Sequence, residues 1–308
     1  MFAIDLKNII TIQDFFTFLY FFPVRKLAAI LPTKLILLIS IPFVNIYTLL
    51  PIHQKRKKSI RRSLSFIFSD TKTEKEVKML TQQYLGNAVY TSIDDLILNN
   101  LTKQDLIERG EIKGLENLEK ALLDKKGVLL VGGHFFGDRL SRLLLREIGF
   151  PILNVRKIHT ASPSMSAVER KYFVPIRTKI LDNALKDYVF VDDKSFSIEI
   201  LKRLRENGLV SILFDARSPR TGIYCPFLGS KRLFPTNFLQ IAHLTGAAVI
   251  PMLCIGNSSS FTVTFGKKLE LQEFPTKEQF ISANLNILVR MLELQIMRYP
   301  TQWQWLIS

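Results

Sequence analysis

Cysteine and histidine are both scarce in this chain of 308 residues, which contains two cysteines and four histidines. Cys225 and Cys254 have neither the spacing of a zinc site nor that of a disulfide framework, and so few thiols fit a reducing compartment. We therefore expect no metal site. With only four histidines, each one is worth weighing as a functional group.

Acidic residues are also few, since 27 Asp and Glu face 42 Lys and Arg and leave a formal net charge of +15. A surface of this charge attracts anionic partners such as nucleic acid, anionic lipid or an acidic carrier protein. Hydrophobic residues make up 47% of the chain and include 23 Phe. DNA-binding proteins rarely need so much apolar area, so the composition favours a membrane surface and no nucleic acid.

Charge is nearly absent from two stretches near the N-terminus, residues 14–24 and 35–52. The second has 18 residues, below the roughly 20 usual for a membrane span, and Pro42 and Asn45 weaken it further. A basic cluster follows at Lys55, Arg56, Lys57, Lys58, Arg61 and Arg62. We expect residues 1–62 to form a membrane-associating segment whose basic cluster meets anionic cytoplasmic head groups. The alternatives are a hydrophobic helix packed on the domain and a solvated charged helix face.

The rest of the chain, residues 63–308, is expected to form one α/β domain. Helical spacing of apolar residues predicts a helical layer over residues 63–126. From residue 127 strand and helix patterns alternate, which predicts a mainly parallel central sheet covered by helices on both faces. The predicted strands are 127–133, 151–157, 209–215 and 247–255, with 260–271 as a last strand that is open to antiparallel pairing.

The stretch "VGGHFFGDRL" places His134 just past a buried strand, after Gly132 and Gly133. Reactive groups collect beyond the carboxyl ends of the strands in open α/β sheets. If a helix begins near His134, Asp138 lies on the same face and accepts the Nδ1 proton, which leaves Nε2 free as a general base. The plainer interpretation is a packed histidine with Asp138 as a first-turn acid.

Several further segments share one resemblance: residues 114–140, "NVRK" at 154–157, residues 213–253 and the tail "RYPTQWQW". With these motifs in this order, the chain resembles the bacterial lipid A biosynthesis lauroyl/myristoyl acyltransferase family of the lysophospholipid acyltransferase superfamily. The resemblance implies transfer of a fatty acyl chain to a lipid hydroxyl of a glycolipid acceptor. The resemblance further implies an acyl carrier protein or coenzyme A thioester as co-substrate and no resident cofactor. It also implies that the reaction takes place at the cytoplasmic face of the bacterial inner membrane. His134 occupies the position of the catalytic histidine.

The motif departs from the family at one point, because the family usually has an acid five residues after the histidine and here that residue is Arg139. Either the turn is remodelled so that Asp138 supports His134, or the orienting acid is lost. An unrelated acetyl-transferring superfamily does have His-x3-Asp, but a glycine usually follows its acid and its other motifs do not match. We therefore expect a remodelled pair of His134 and Asp138.

Four more residues are expected to bind substrate on the strength of the resemblance. Arg156 matches an arginine frequent in the family and would face a phosphate or the developing oxyanion. Asp215 and Arg217, in "FDARSPRTG", match a segment that begins with an aspartate after a strand, and Arg177 matches more loosely. The plainer interpretations are a solvated strand-end charge for Arg156 and a structural turn for the segment.

Two other functions stay open at this stage. One is an acyltransferase of the same fold acting on another glycolipid, an aminolipid or a polyene-type product, because the motif is altered. The other is a non-catalytic lipid-binding relative, which gains ground if Asp138 lies far from His134 and no other acid replaces it.

Overall fold

The computed structural model describes residues 12–69, 71–157, 166, 168–216, 219, 221–257 and 259–306. Its helices are α1 Ile12–Leu19, α2 Arg25–Ile30, α3 Thr33–Leu49, α4 Gln54–Ile67, α5 Glu74–Ile97, α6 Lys103–Arg109, α7 Leu115–Leu122, α8 Asp138–Glu147, α9 Val174–Leu185, α10 Phe196–Arg205, α11 Asn237–Thr245 and α12 Lys277–Arg298. Its strands are β1 Gly110–Lys113, β2 Val128–Gly132, β3 Ile152–Arg156, β4 Tyr188–Phe190, β5 Leu209–Leu213, β6 Ile223–Phe227, β7 Ser230–Phe234, β8 Ala248–Asn257 and β9 Ser260–Phe265.

Seven strands form one sheet in the order β1-β9-β8-β2-β5-β3-β4. Every neighbouring pair in it is parallel except β8 and β9, which are antiparallel. Strand β2 is buried along its whole length because each of its residues from Val128 to Gly132 is apolar or glycine, as expected of a strand covered on both faces. The mainly parallel sheet is therefore confirmed, and the last strand, whose pairing was left open, is antiparallel to β8 and parallel to β1.

Helices cover both faces of the sheet. Successive side chains of β2 point to opposite faces, so they pack in two different hydrophobic clusters. Leu129 and Val131 pack in a cluster to which α4, α5, α10, α11 and α12 contribute. Val128 and Leu130 pack in a second cluster with residues of α7 and α8. A third cluster joins α8 to α9.

The N-terminal helices α1 to α3 lie against the domain and leave an apolar surface exposed. One face of α3 is buried at Leu37, Ser40, Val44 and Thr48, and Val44 packs with Val89 and Ile93 of α5. The outward residues of α3 remain exposed: Leu38, Ile39, Ile41, Phe43, Ile46 and Leu49. The hydrophobic N-terminal helical segment is thus confirmed. Residue 62, where the sequence predicts a domain boundary, falls inside α4; this division of the chain stays a prediction.

By length and composition, one helix of the described residues could cross a membrane, or two segments if a bent pair of helices is taken as one span. One is α12, whose Leu285, Leu288 and Leu292 are fully buried in the main core. The other is α3 taken together with α4, which are bent by 87° relative to each other. Helix α3 alone has 17 residues and is about 25 Å long, against a hydrocarbon thickness of about 30 Å.

Three elements of β structure were not predicted from the sequence, and one of them, the pair β6 and β7, forms a separate two-stranded sheet. Strand β1 interrupts the helical layer expected over residues 63–126, and the three-residue β4 and the β6–β7 hairpin were not expected. Strand β1 has only four residues of alternating half-exposed and exposed character, so it lacks the buried apolar run that identifies β2. The hairpin turns at Leu228 and Gly229, which both have positive φ.

Candidate active site

His134 lies in a loop directly after β2, and two glycines allow this loop to pack closely. A Cβ on Gly132 would lie 2.3 Å from the backbone oxygen of Met252 in β8, and one on Gly133 would lie 2.6 Å from Leu292 Cδ1 in α12. These distances are far shorter than ordinary contacts, so neither position accepts a side chain without rearrangement. The glycines therefore set His134 at the carboxyl end of β2, between the sheet and α12.

Asp215 follows the neighbouring strand β5 and pairs with His134. Because Gly132 and Leu213 are partners in the parallel ladder, His134 and Asp215 each lie two residues beyond paired positions. Nδ1 of His134 is 2.5 Å from Oδ1 of Asp215, and the backbone N–H of His134 donates to Oδ2 at 2.9 Å. The imidazole is 26% exposed while the carboxylate is fully buried. This geometry fits an aspartate that fixes the proton on Nδ1 and leaves Nε2 as the accessible nitrogen.

The pKa of Asp215 is set by two opposing effects. Burial alone would raise it, but the charge of His134 and the hydrogen bonds from His134 and Trp303 outweigh burial and hold the pKa below its usual value. Asp215 therefore stays ionised beside the imidazole. A buried carboxylate of this kind stabilises an imidazolium that forms when the histidine takes up a proton.

The expected pairing of Asp138 with His134 is wrong. Helix α8 begins at Asp138 itself, so His134 lies outside the helix and the four-residue spacing places the two side chains on no common helical face. Asp138 instead accepts from Arg142 Nε at 2.9 Å, one turn further along α8. Arg142 is buried and also donates to Asn154 of β3, so Asp138 balances a buried charge.

The other expected substrate-binding residues lie in ion pairs, away from solvent, or outside the described residues. Arg156 pairs with Asp182 at 2.6 Å, and Arg177 pairs with Asp95 at 3.2 Å. Asp215 has no exposed surface and forms a hydrogen bond with His134; its expected contact with substrate stays a prediction. Arg217 lies outside the described residues. The substrate-binding roles of Arg156, Arg177 and Arg217 stay predictions.

The two tryptophans of the chain complete the site, and no role for either was predicted from the sequence. Trp303 donates its indole N–H to Asp215 Oδ2 at 2.8 Å, and the Trp305 ring lies 4.5 Å from the His134 ring, measured between centroids. Their sequence signal was present, because "RYPTQWQW" carries part of the family resemblance and holds both tryptophans. Nothing in the sequence, however, shows which strand ends this tail contacts.

A cavity of about 660 Å³ has both tryptophans in its wall, and these lie between it and the pair of His134 and Asp215 through their contacts with the two residues. Its apolar lining includes Phe66 and Ile67 of α4, Phe227 and Leu228 of the hairpin, and Leu306. Arg62, Lys231 and Arg232 add positive charge to the same wall. The volume is in the range of small-molecule sites, and the mixture of apolar and cationic groups suits an anionic amphiphile.

The described residues contain no group of three or more His, Cys, Asp or Glu side chains that could hold a metal ion. His243 is half exposed and lies 3.9 Å from Glu273, while the His53 ring meets the Tyr47 ring edge to face. Burial and the neighbouring Arg56 and Lys57 lower the pKa of His53. Neither histidine belongs to the site around His134.

Comparison with known proteins gives one family and several relatives. The family model described as "Bacterial lipid A biosynthesis acyltransferase" matches residues 6–308. The lipid A biosynthesis palmitoleoyltransferase of Escherichia coli (strain K12) is 24% identical over 260 residues, which cover 82% of this chain and 78% of that protein. The lipid A biosynthesis acyltransferase of Shigella flexneri is similar to the same extent.

Among solved structures, the 1-acyl-sn-glycerophosphate acyltransferase PlsC from Thermotoga maritima is similar to this chain. The identity is 15%, and the similarity covers 79% of this chain and 96% of the other, with a TM-score of 0.35. A score this low carries no further structural conclusion.

Proposed function

Because the chain belongs to the bacterial lipid A biosynthesis acyltransferase family, we propose that it moves a fatty acyl chain from a thioester to a hydroxyl of a lipid A precursor or related glycolipid, with His134 as general base. The observation that carries this proposal is the pair of His134 and Asp215 at the ends of β2 and β5. The His134 imidazole is 26% exposed, and the two tryptophans that contact the pair also line a cavity suited to an amphiphile.

The proposed reaction needs one base and no covalent intermediate on the protein. Nε2 of His134 takes the proton of the acceptor hydroxyl as the oxygen attacks the thioester carbonyl. The C–S bond breaks when the tetrahedral intermediate collapses, and the imidazolium returns the proton to the departing thiolate. Asp215 stabilises the imidazolium between these steps without taking its proton. Holding both substrates at one histidine supplies much of the rate enhancement.

The membrane is the place of this reaction in the proposal, at the cytoplasmic face of the bacterial inner membrane. Exposed apolar side chains continue from α3 onto α1 and α2, where Phe15, Phe18, Leu27 and Ile30 are outward. One-sided exposure of this kind suits a segment that lies in the interface and does not cross it. The basic cluster, which runs from Lys55 to Arg62 on α4, directly follows the bend after α3 and provides charge for anionic lipid head groups.

The proposed acyl donor is a thioester of acyl carrier protein, with coenzyme A as the alternative. The net charge of +15 favours encounter with an acidic carrier protein. Arg62, Lys231 and Arg232 in the cavity wall offer partners for the phosphate that either donor carries. The type of chain, lauroyl or myristoyl from the resemblance, stays a prediction, because the Escherichia coli relative is named for a palmitoleoyl chain.

Two alternatives are weighed against this proposal. An acceptor other than a lipid A precursor, such as an aminolipid or a polyene-type product, uses the same pair and the same cavity. A non-catalytic lipid-binding relative is disfavoured, because Asp215 takes the place beside His134 that Asp138 does not fill. The family match favours the lipid A precursor among the acceptors.

Transfer of a labelled acyl chain tests the proposal. Purified protein is incubated with acyl carrier protein or coenzyme A thioesters of several chain lengths and with either a lipid A precursor or a total lipid extract. Mass spectrometry identifies the product. Wild type should label the lipid A precursor, and His134→Ala, with an unchanged circular dichroism spectrum, should not. Labelling of only another lipid favours the other-acceptor alternative, and undiminished labelling by His134→Ala overturns the assignment of the base.

A further inference from the structure

The C-terminal tail, residues 301–306, lies against the loop that carries His134. The backbone N–H of Phe136 donates to the carbonyl of Gln302 at 3.0 Å, and that of Gln304 donates to the carbonyl of His134 at 2.8 Å. Phe135 and Trp303 face each other between these bonds as an antiparallel bridge. The tail is therefore paired with the histidine loop along its backbone.

Other parts of the domain hold the same tail from outside the loop. The hydroxyl of Tyr84 in α5 donates to the carbonyl of Gln304 at 2.8 Å, and Asn87 Nδ2 donates to the carbonyl of Thr301 at 2.9 Å. The backbone N–H of Gly256 in β8 donates to Gln302 Oε1 at 2.9 Å. These bonds fix the tail without the side chain of Trp303, which leaves that side chain available for a separate task.

Trp303 meets the carboxylate on the side away from the imidazole. Its indole N–H donates to Asp215 Oδ2 at 2.8 Å, and Oδ2 also accepts the backbone N–H of His134, so Oδ1 is the oxygen that faces His134 Nδ1. Arg232 holds the backbone of the same residue by donating to the Asp215 carbonyl at 2.6 Å. The charged groups that contact Asp215 among the described residues are His134 and Arg232.

We propose that Trp303 is a positioning residue of the catalytic pair, whose indole N–H fixes the rotation of the Asp215 carboxylate so that Oδ1 faces His134. This inference rests on the proposed function, because it assumes that His134 is the base. Trp303 is 4% exposed, and its ring packs 5.7 Å from Phe227 and 5.5 Å from the Arg232 guanidinium, so the indole has little freedom to leave the carboxylate. The C-terminal tail thereby becomes part of the active site.

A purely packing role for Trp303 makes a different demand on the side chain. Packing needs the volume of the ring and not its N–H, whereas positioning needs the donor. Loss of the donor leaves a fully buried carboxylate oxygen with one partner fewer, which weakens the ionised form of Asp215 and frees its rotation. The pair then binds its first proton more tightly, so less of the enzyme is in the basic form at a given acidic pH.

Trp303→Phe removes the N–H and keeps an aromatic ring. We expect kcat to fall roughly tenfold to a hundredfold, the range given by one hydrogen bond to a charged group. KM should change less than about twofold, since Trp303 contacts Asp215 and not the hydroxyl that reacts. The acidic limb of the kcat–pH profile should move to higher pH.

Two further variants separate the donor from the shape of the ring and from the anchoring of the tail. Replacement of Trp303 by benzothienylalanine keeps the bicyclic shape with sulfur in place of N–H. It should show the lower kcat and the shifted acidic limb that are expected of Trp303→Phe. It therefore supplies the test even if Trp303→Phe does not fold. Tyr84→Phe removes a bond to the tail that does not involve Asp215. Its acidic limb should lie where that of wild type lies.

The outcomes distinguish failure of this inference from failure of the proposed function. An unmoved acidic limb in both Trp303 variants overturns the positioning role, and so does an equal movement in Tyr84→Phe. If wild type transfers no acyl chain, the proposed function fails, and the NMR signal of the Nδ1 proton of ¹⁵N-labelled His134 still decides the contact. That signal should shift or broaden in the Trp303 variants and persist in Tyr84→Phe; an unchanged signal in all three contradicts the inference.

Discussion

Nδ1 of His134 and Oδ1 of Asp215 lie 2.5 Å apart although 81 residues of chain separate them. The parallel pairing of β2 with β5 produces this contact, because each residue follows its strand by the same number of positions. The acid that orients the histidine therefore comes from the neighbouring strand and not from the following helix.

The first prediction separates the two aspartates near the site. Asp138→Asn should lower the free energy of unfolding by about 1–3 kcal/mol, because it leaves the buried Arg142 without its charged partner while Asn154 still accepts from it. The kcat/KM of the folded variant should stay within about threefold of wild type. Urea unfolding and initial rates measure the two quantities. A hundredfold loss of kcat/KM with unchanged stability would restore Asp138 as the orienting acid.

The second prediction concerns the outward face of α3. Leu38→Glu and Ile46→Glu should each weaken binding to anionic lipid vesicles roughly tenfold, the factor expected when one large apolar side chain no longer enters the interface. Both residues are about two-thirds exposed, so the stability of the protein in solution should hardly change. Vesicle flotation measures the binding.

The matched control for this surface is Ile198→Glu, because Ile198 in α10 is 65% exposed, as is Ile46. It should bind vesicles as wild type does. If it weakens binding as much as Ile46→Glu, the effect comes from net charge and the apolar face of α3 is not the membrane contact.

The third prediction tests the close packing of the histidine loop. Gly132→Ala should cost about 1–3 kcal/mol of stability, because the new Cβ would lie 2.3 Å from the Met252 backbone oxygen and β2 or β8 must move. Gly86→Ala is the comparison. Gly86 lies inside α5, and a Cβ there would meet only Cγ1 of Val44 in α3, at 3.6 Å. It should stabilise the protein by about 0.5–1 kcal/mol through helix propensity. Equal effects of the two substitutions would contradict this view of the loop.

Much of the fold could be predicted from local pattern. Strands β2, β5 and β8 carry buried apolar runs, and α10 and α11 are followed by glycines, so their types are visible within a short window. Strands β1, β4, β6 and β7 have three to five residues each and include half-exposed or exposed positions, and they exist because another strand pairs with them. Pairing is a tertiary property, so a short stretch of sequence does not reveal these four strands.

The candidate site was predictable in part for the same reason. The ten letters around His134 allow both a functional and a packed histidine, and the family resemblance is what favours the functional interpretation, which stays a prediction. Its acid was misassigned because the i,i+4 argument requires a helix over both residues, and α8 begins only at Asp138. Asp215 meets His134, and Trp303 meets Asp215, only after β2, β5 and the C-terminal tail have come together, which no spacing in the sequence encodes.

The fourth prediction concerns the orientation of the base itself. The most direct measurement is the kcat of acyl transfer by Asp215→Asn, with folding checked by circular dichroism and with Asp138→Asn measured in parallel. The side-chain amide that Asp215→Asn introduces can donate to Nδ1 of His134 and so favours the tautomer whose proton blocks Nε2. We predict that kcat falls at least a hundredfold, the order that a positioned general base contributes, while KM changes little. A kcat for folded Asp215→Asn within threefold of wild type would contradict the assignment of Asp215 as the partner of a catalytic His134.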